Sequence, residues 1–288
     1  MRYNDKTMEI DPYDNTREKD AMRVKPETIE SNLLKFIFLD EEKVLAAFTT
    51  KDLPREAEGE SRGSLVFRGM YDSPDFERIS KRLVIGGSDH GDVIHVVDEN
   101  YLSIPTDLRP RPPDGFITNL RETPLAHRAA DCAIIAIHSD ETGSIGTAHS
   151  GWKGTRLDIG AKLVLALSRS FGARPELMRA VISPYADPKL YEVGEDVYEA
   201  FLSATDEYRN LLFPESILKK FFIKDSTREG KYFFDHGALI RFRLLYSGIT
   251  AENIFVSEHK TISEPDLFAS ARLDKENRRD NIMLAMLR

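Results

Sequence analysis

Two residues dominate the chemistry open to this chain of 288 residues: Cys132, its single cysteine, and His149. Cys132 opens the apolar run CAIIAI, and His149 closes the return IGTAH that follows the turn SDETGS. A hairpin of that kind sets the start of one strand beside the end of the next, so the two side chains are expected as neighbours. A thiolate and an imidazole within reach of each other can share a metal ion, or act as nucleophile and base. The glycines of HSGWKGT predict a tight turn into a helix. The free N–H groups there, with Lys153 and Arg156, offer a seat for an anion. A lone cysteine excludes an intrachain disulfide framework.

Short apolar, β-branched runs bounded by polar residues predict strands at 34–39, 44–50, 93–97, 116–118, 132–137, 145–149, 180–183 and 254–257. Helical spacing appears at 157–171, where Ile159, Leu163, Leu167 and Phe171 form one stripe and Gly172 follows as a stop. The segments 193–202 and 238–246 read as amphipathic helices. Residues 52–63 are expected as an exposed loop and 103–114 as a proline-rich connection. His95 falls inside a strand, which favours a structural role, and His138 lies at the far end of the hairpin from Cys132. Strands and helices interleave from residue 31 to 288, which predicts one mixed α/β domain. Residues 1–30 lack apolar periodicity and read as a polar N-terminal extension.

Hydrophobic residues make up 41% and charged residues 31%, enough to build a sizeable core. The net charge of -8 argues against general nucleic-acid binding, which needs a concentrated basic surface. There is no apolar run long enough to span a bilayer and no secretory-type start, so the cytoplasm is the expected compartment.

Several short motifs, in order, resemble the YfiH-like "laccase domain" proteins, also described as multicopper polyphenol oxidase-like and as purine nucleoside phosphorylase-type. The family's H-G, T-A-D-C and H-A-G-W-R-G-T elements are matched by His90-Gly91, Ala129-Ala130-Asp131-Cys132 and His149-Ser150-Gly151-Trp152-Lys153-Gly154-Thr155. Phe48-Thr49-Thr50-Lys51, Asp114-Gly115, Ser183-Pro184, Tyr191-Glu192-Val193-Gly194, Thr261 and Phe268-Ala269-Ser270-Ala271-Arg272 match flanking elements. The chain departs from the pattern with Lys51 and Lys153 where arginines are usual, Lys260 where a cysteine is frequent, and an altered stretch at 52–76. Lysine keeps the charge but lacks the bidentate fork.

The resemblance implies a single-domain α/β/β/α layered fold and a zinc ion held by His90, Cys132 and His149. It also implies phosphorolysis of adenosine, inosine, guanosine and methylthioadenosine, with deamination of adenosine. Purine nucleoside and phosphate would then be the small-molecule partners. On that reading Lys51, Lys153 and Arg272 hold phosphate, while Asp131 orients His149 or transfers a proton. Three alternatives stay open. The same ligands can bind Cu2+ for a laccase-like oxidase, although seven histidines without an H-x-H pair are few for several copper ions. Cys132 and His149 can serve a metal-free hydrolase or deamidase. A degenerate member would keep the metal without catalysis.

Overall fold

Side-chain alternation in the strand Ala133–Ser139 explains the layering. Ile134 and Ala136 point into one core, while Ile135 and Ile137 point into another. A strand buried on both faces must lie between two other layers. It belongs to a six-stranded sheet ordered Ile254–Val256, Met178–Ile182, Ala133–Ser139, Ser144–Ser150, Gly115–Thr118 and Ile94–Val96. A second six-stranded sheet runs Thr28–Glu30, Leu33–Lys35, Val44–Thr49, Asn281–Leu287, Leu125–Ala129 and Val84–Ile85.

The computed structural model describes residues 27–30, 33–51, 75–105, 108–109, 112–203, 215–275 and 280–288. Between the two sheets Phe48, Leu125, Met283 and Ala285 pack against Phe116, Ile134, Ala136 and Ile145. The helix Ile159–Phe171 covers the outer face of the first sheet with Ile159, Leu163, Val164 and Leu167, joined by Ile240 and Leu244 of the helix His236–Tyr246. On the far side Ile79 of the helix Phe76–Ser80 packs on Leu45, Ala126, Ile282 and Leu284. The order is therefore α/β/β/α. A small sheet, Glu192–Gly194, Lys231–Phe234 and Phe222–Lys224, carries its own aromatic core with Tyr191, Tyr198 and Phe201. No helix among the described residues is long and apolar enough to cross a membrane.

The predicted elements are present with instructive differences. The expected strand 34–39 stops at Lys35 and becomes a 3-10 turn, Ile37–Leu39. The chain must reverse there, with Asp40 at φ 72, to pair antiparallel with Val44–Thr49. The helix expected at 157–171 runs from Ile159 to Phe171, and a separate short helix, Trp152–Arg156, precedes it in place of the expected tight turn, the two parted where Asp158 takes φ 61. Residues 192–194 form a strand instead of a helix start, because their backbone pairs with Lys231–Phe233. The central strand Asn281–Leu287 (NIMLAML) and the strand Leu125–Ala129 had no place in the sequence reading. Their leucine, methionine and alanine content carries no strand signature; burial between neighbours makes them strands.

The N-terminal boundary moves too. Thr28–Glu30 pairs with Leu33–Lys35, and the Glu27 carboxylate accepts hydrogen bonds from Ser257 Oγ (2.8 Å) and Glu258 N (3.0 Å). Residues 27–30 thus belong to the folded body rather than to a loose extension. The expected loop at 52–63, most of the altered stretch at 52–76, and residues 1–26 lie outside the described residues.

Candidate metal centre

The hairpin expected from CAIIAI and IGTAH forms with Ser139 opposite Ser144 and Ala133 opposite Ser150. Gly143, at φ 55, supplies the left-handed residue of its turn. The register sets Ile134 against His149, so Cys132, one residue before the strand, comes to the imidazole. His90 reaches the same point from the loop after Val84–Ile85. One donor atom from each of His90, Cys132 and His149 lies within 4.8 Å of the others.

This donor set suits a metal. Cys132 Sγ stands 3.9 Å from His90 Nε2, and a tetrahedral ion with zinc-like bond lengths sets sulfur and nitrogen roughly 3.6 Å apart. The His90 and His149 rings meet edge-on, with centroids 5.1 Å apart. Among the described residues this is the one group of three or more such side chains placed to hold an ion.

A carboxylate absent from the sequence-based site, Asp114, builds two of the three ligand positions. Its Oδ1 accepts from His149 Nδ1 at 2.8 Å and from His90 N at 3.1 Å, and its Oδ2 accepts from Gly91 N at 2.8 Å. Engaging Nδ1 leaves His149 Nε2 to face the thiol, as a carboxylate hydrogen-bonded behind a metal-binding histidine does. The two backbone bonds hold His90 at φ 62, a left-handed conformation that is rare for a non-glycine residue. Asp114 is itself placed by the sheet, since its carbonyl accepts from His149 N at 2.7 Å. The one available signal was position: an acid at the entry of Gly115–Thr118, the strand that pairs with Ser144–Ser150.

Burial pushes the His149 imidazole towards neutrality, but the Asp114 and Cys132 partners outweigh it and lift its pKa to about 9. Burial raises the Cys132 thiol, and the two histidines overcome that and bring it down to about 7. Asp114 is pushed up by burial, and its bonds to His149, Gly91 and His90 bring it below the usual carboxylate range. Between about pH 7 and pH 9 the metal-free pair is therefore a thiolate beside an imidazolium. Alkylation of Cys132 in metal-stripped protein should rise with pH through a midpoint near 7, because the thiolate is the nucleophile. A midpoint at the ordinary thiol value, in a pH series of iodoacetamide rates, would refute this charge pattern.

Gly151 closes the centre from the helix side. A Cβ there would stand 2.8 Å from Cys132 Sγ and 2.8 Å from His90 Cδ2. The backbone, at φ -75, would itself accept alanine, so the clash alone decides. Gly151→Ala should leave the fold intact on circular dichroism while weakening metal binding by about tenfold or more, as ligand displacement does. Unchanged affinity in a competitive chelator titration would contradict it.

The remaining candidates separate. Asp131 does not touch His149; its carboxylate accepts from Thr261, Ser270 and the Arg272 backbone, so Asp114 has the orienting position expected for Asp131. Arg272 lies beside this corner, with its guanidinium 5.0 Å over the Tyr191 ring and Nη2 donating to Glu192 O at 2.7 Å. Tyr191 is buried, and burial together with the nearby Cys132 charge raises its phenol far above the usual range, so it is a neutral donor. The Lys51 ammonium is engaged with Asp274 (3.3 Å) and Pro265 O (3.0 Å). Lys153 is exposed on the Trp152–Arg156 helix, 5.5 Å over the Trp152 ring. His95 packs edge-on to Tyr101, and His138 is buried at the far end of the hairpin.

Comparisons with known proteins agree with this architecture. The chain is 33% identical over 190 residues to a purine nucleoside phosphorylase of Xylella fastidiosa (strain 9a5c), covering 66% of each chain. It is 27% identical over 193 residues to adenosine deaminase RL5 of an unknown prokaryotic organism, covering 66% of this chain and 69% of that one. The chain spans about two thirds, or less, of the length of the first curated relatives it matches. The crystal structure of the Bacillus licheniformis hypothetical protein YfiH superposes with a TM-score of 0.74 at 25% identity, over 92% of this chain and all of that one. Residues 75–287 match the family model described as multi-copper polyphenol oxidoreductase laccase, and the chain belongs to that family.

Proposed function

We propose that this protein is a zinc-dependent enzyme of purine nucleosides, performing phosphorolysis of adenosine, inosine, guanosine and methylthioadenosine and deamination of adenosine. The observation that carries the reading is the three-donor cluster His90, Cys132 and His149, preset by Asp114 and lying beside Tyr191 and Arg272. The names of the relatives supply the substrate class. Three protein ligands leave a zinc ion one open position, and the bound ion supplies Lewis acidity and a water that ionises near neutral pH.

The chain's own groups do the rest. Asp114 keeps His149 in the tautomer that presents Nε2. The neutral Tyr191 hydroxyl, near Cys132 and Arg272, keeps a proton that it can donate to a bound substrate. Arg272 receives the anion, and Lys153, exposed on the Trp152–Arg156 helix, adds positive charge. Lys51 contributes by fixing Asp274, two residues from Arg272. A cluster of one cysteine and two histidines is too small for a multi-copper centre, which favours this reading over a laccase.

The test is direct. Zinc-loaded protein is incubated with adenosine with and without phosphate, and products are resolved chromatographically. Inosine reports deamination; adenine with ribose 1-phosphate reports phosphorolysis. Absence of all three between pH 6 and pH 9, in protein shown to hold zinc, rejects the proposal in favour of a non-catalytic metal-binding member.

A second reading draws on one specific observation. The bond from His149 Nδ1 to Asp114 completes a Cys132–His149–Asp114 series of nucleophile, base and orienter. A metal-free hydrolase or deamidase on these residues needs no His90. Activity that survives both chelation and loss of His90, yet fails on thiol alkylation, would select it.

A further inference from the structure

The geometry points to Asp131 as a positioning residue that holds Cys132 and Arg272 in one register, with its carboxylate acting as a fixed acceptor and not as a proton carrier. Asp131 takes φ 81 and is buried. Its Oδ1 accepts from Thr261 Oγ1 at 2.6 Å. Its Oδ2 accepts from Ser270 Oγ at 2.9 Å and from Arg272 N at 2.9 Å. Its carbonyl accepts from Ala186 N at 2.9 Å. One residue thus ties together the turn at 186, the turn at 261 and the start of the short helix Ala271–Asp274. The next residue in the chain is the metal-ligand candidate Cys132.

A second latch supports the same segment. Ser270 N donates to Asp274 Oδ2 at 3.0 Å, and Lys51 Nζ reaches Asp274 Oδ1 at 3.3 Å. Lys51 N also donates to Leu267 O at 2.6 Å. Arg272 is therefore fixed from behind at its amide and in front at its guanidinium. A proton carrier must turn at least one oxygen to the reacting group, whereas both oxygens of Asp131 already face protein donors.

Asparagine separates the two roles. It tolerates a positive φ and keeps the shape. Its amide oxygen can accept from Ser270 and Arg272, while its amide nitrogen donates to Thr261 Oγ1, whose hydroxyl can rotate to accept. It cannot carry the proton. The experiment compares Asp131→Asn, Asp131→Ala and Thr261→Val in the full chain by hydrogen exchange of the 268–275 peptide. It adds the alkylation rate of Cys132 in metal-stripped protein, and kcat and KM for adenosine with phosphate.

Asp131→Ala is expected to speed exchange and alkylation by about tenfold or more, as loss of a buried acceptor implies, and to raise the phosphate KM more than it lowers kcat. Asp131→Asn should stay within about threefold of wild type on every measure, with Thr261→Val between the two. Wild-type exchange in Asp131→Ala would overturn the inference. So would an Asp131→Asn protein with wild-type exchange and a kcat as low as that of Asp131→Ala. The activity arm rests on the nucleoside reading, but exchange and alkylation need no substrate. If wild type proves inactive on nucleosides, those two measures still decide the role of Asp131.

Discussion

Removing His90 should reduce metal affinity by more than about 100-fold and abolish nucleoside turnover, since losing a direct ligand exceeds the effect of losing a supporting partner. His90 donates one of three protein ligands, and two ligands hold an exchangeable ion poorly. Alanine is not the cleanest replacement, because position 90 lies at φ 62. Asparagine accepts that conformation more readily, so His90→Asn removes the ring while sparing the turn. Metal stoichiometry by mass spectrometry after dialysis, beside the product assay, gives the result. A His90→Asn protein that binds no metal but keeps wild-type turnover would eliminate the metal-dependent reading and leave the Cys132–His149–Asp114 reading in its place.

Asp114→Ala should weaken metal binding by about 10–100-fold, the usual effect of losing the carboxylate behind a ligating histidine. Three donors lose their acceptor together: His149 Nδ1, His90 N and Gly91 N. The ring is then free to turn, and the left-handed turn at 90–91 loses its anchor. The substitution also changes the pH response of metal-free protein. His149 is raised to about 9, so its contribution to stability is complete below the unfolded histidine value and is lost as pH climbs through about 9. Asp114 is lowered, so its contribution is present above the unfolded aspartate value and is lost as pH falls through its own lower one.

Cys132, lowered to about 7, contributes with the opposite sign between about pH 7 and 9, so the two shifts offset and metal-free wild type should hold a nearly level Tm across that range. The Asp114→Ala protein, whose His149 is raised less, should lose that balance and gain Tm as pH approaches 9. Metal affinity should rise with pH, because the proton on His149 must leave; the slope is up to about tenfold per unit between about pH 7 and 9, and steeper below 7, where the Cys132 thiol must also lose its proton. Calorimetric melts and competitive titrations across that range measure both. A Tm profile identical in wild type and variant would show that Asp114 does not govern the His149 proton.

What the sequence determined is local. Alternation in CAIIAI and IGTAH, with a turn carrying Gly143, is enough to make a hairpin, and a hairpin's register is enough to bring Cys132 to His149. The motif order, taken with that hairpin, pointed to His90 and to the layered fold. The hairpin is a property of neighbouring residues and short patterns, whereas His90 and the layered fold came only from the family resemblance that the motif order carries.

Tertiary structure decided the partners of those residues. Asp114 is 35 positions from His149; its motif and its place at a strand entry single out the segment, but only the sheet pairing makes it the acceptor for that ring. Asp131 adjoins Cys132 in sequence, yet its carboxylate is satisfied from residues 130 to 141 positions away. Motif position alone makes Lys51 a phosphate ligand, but Asp274, 223 positions on, engages its charge. Hydrogen bonds and ion pairs of buried polar groups are set by which segments the core brings together, and a central strand such as Asn281–Leu287 becomes one only through that packing. The sequence thus specified the thiolate–imidazole pair at the heart of the site, and the assembled layers chose the carboxylates that orient it.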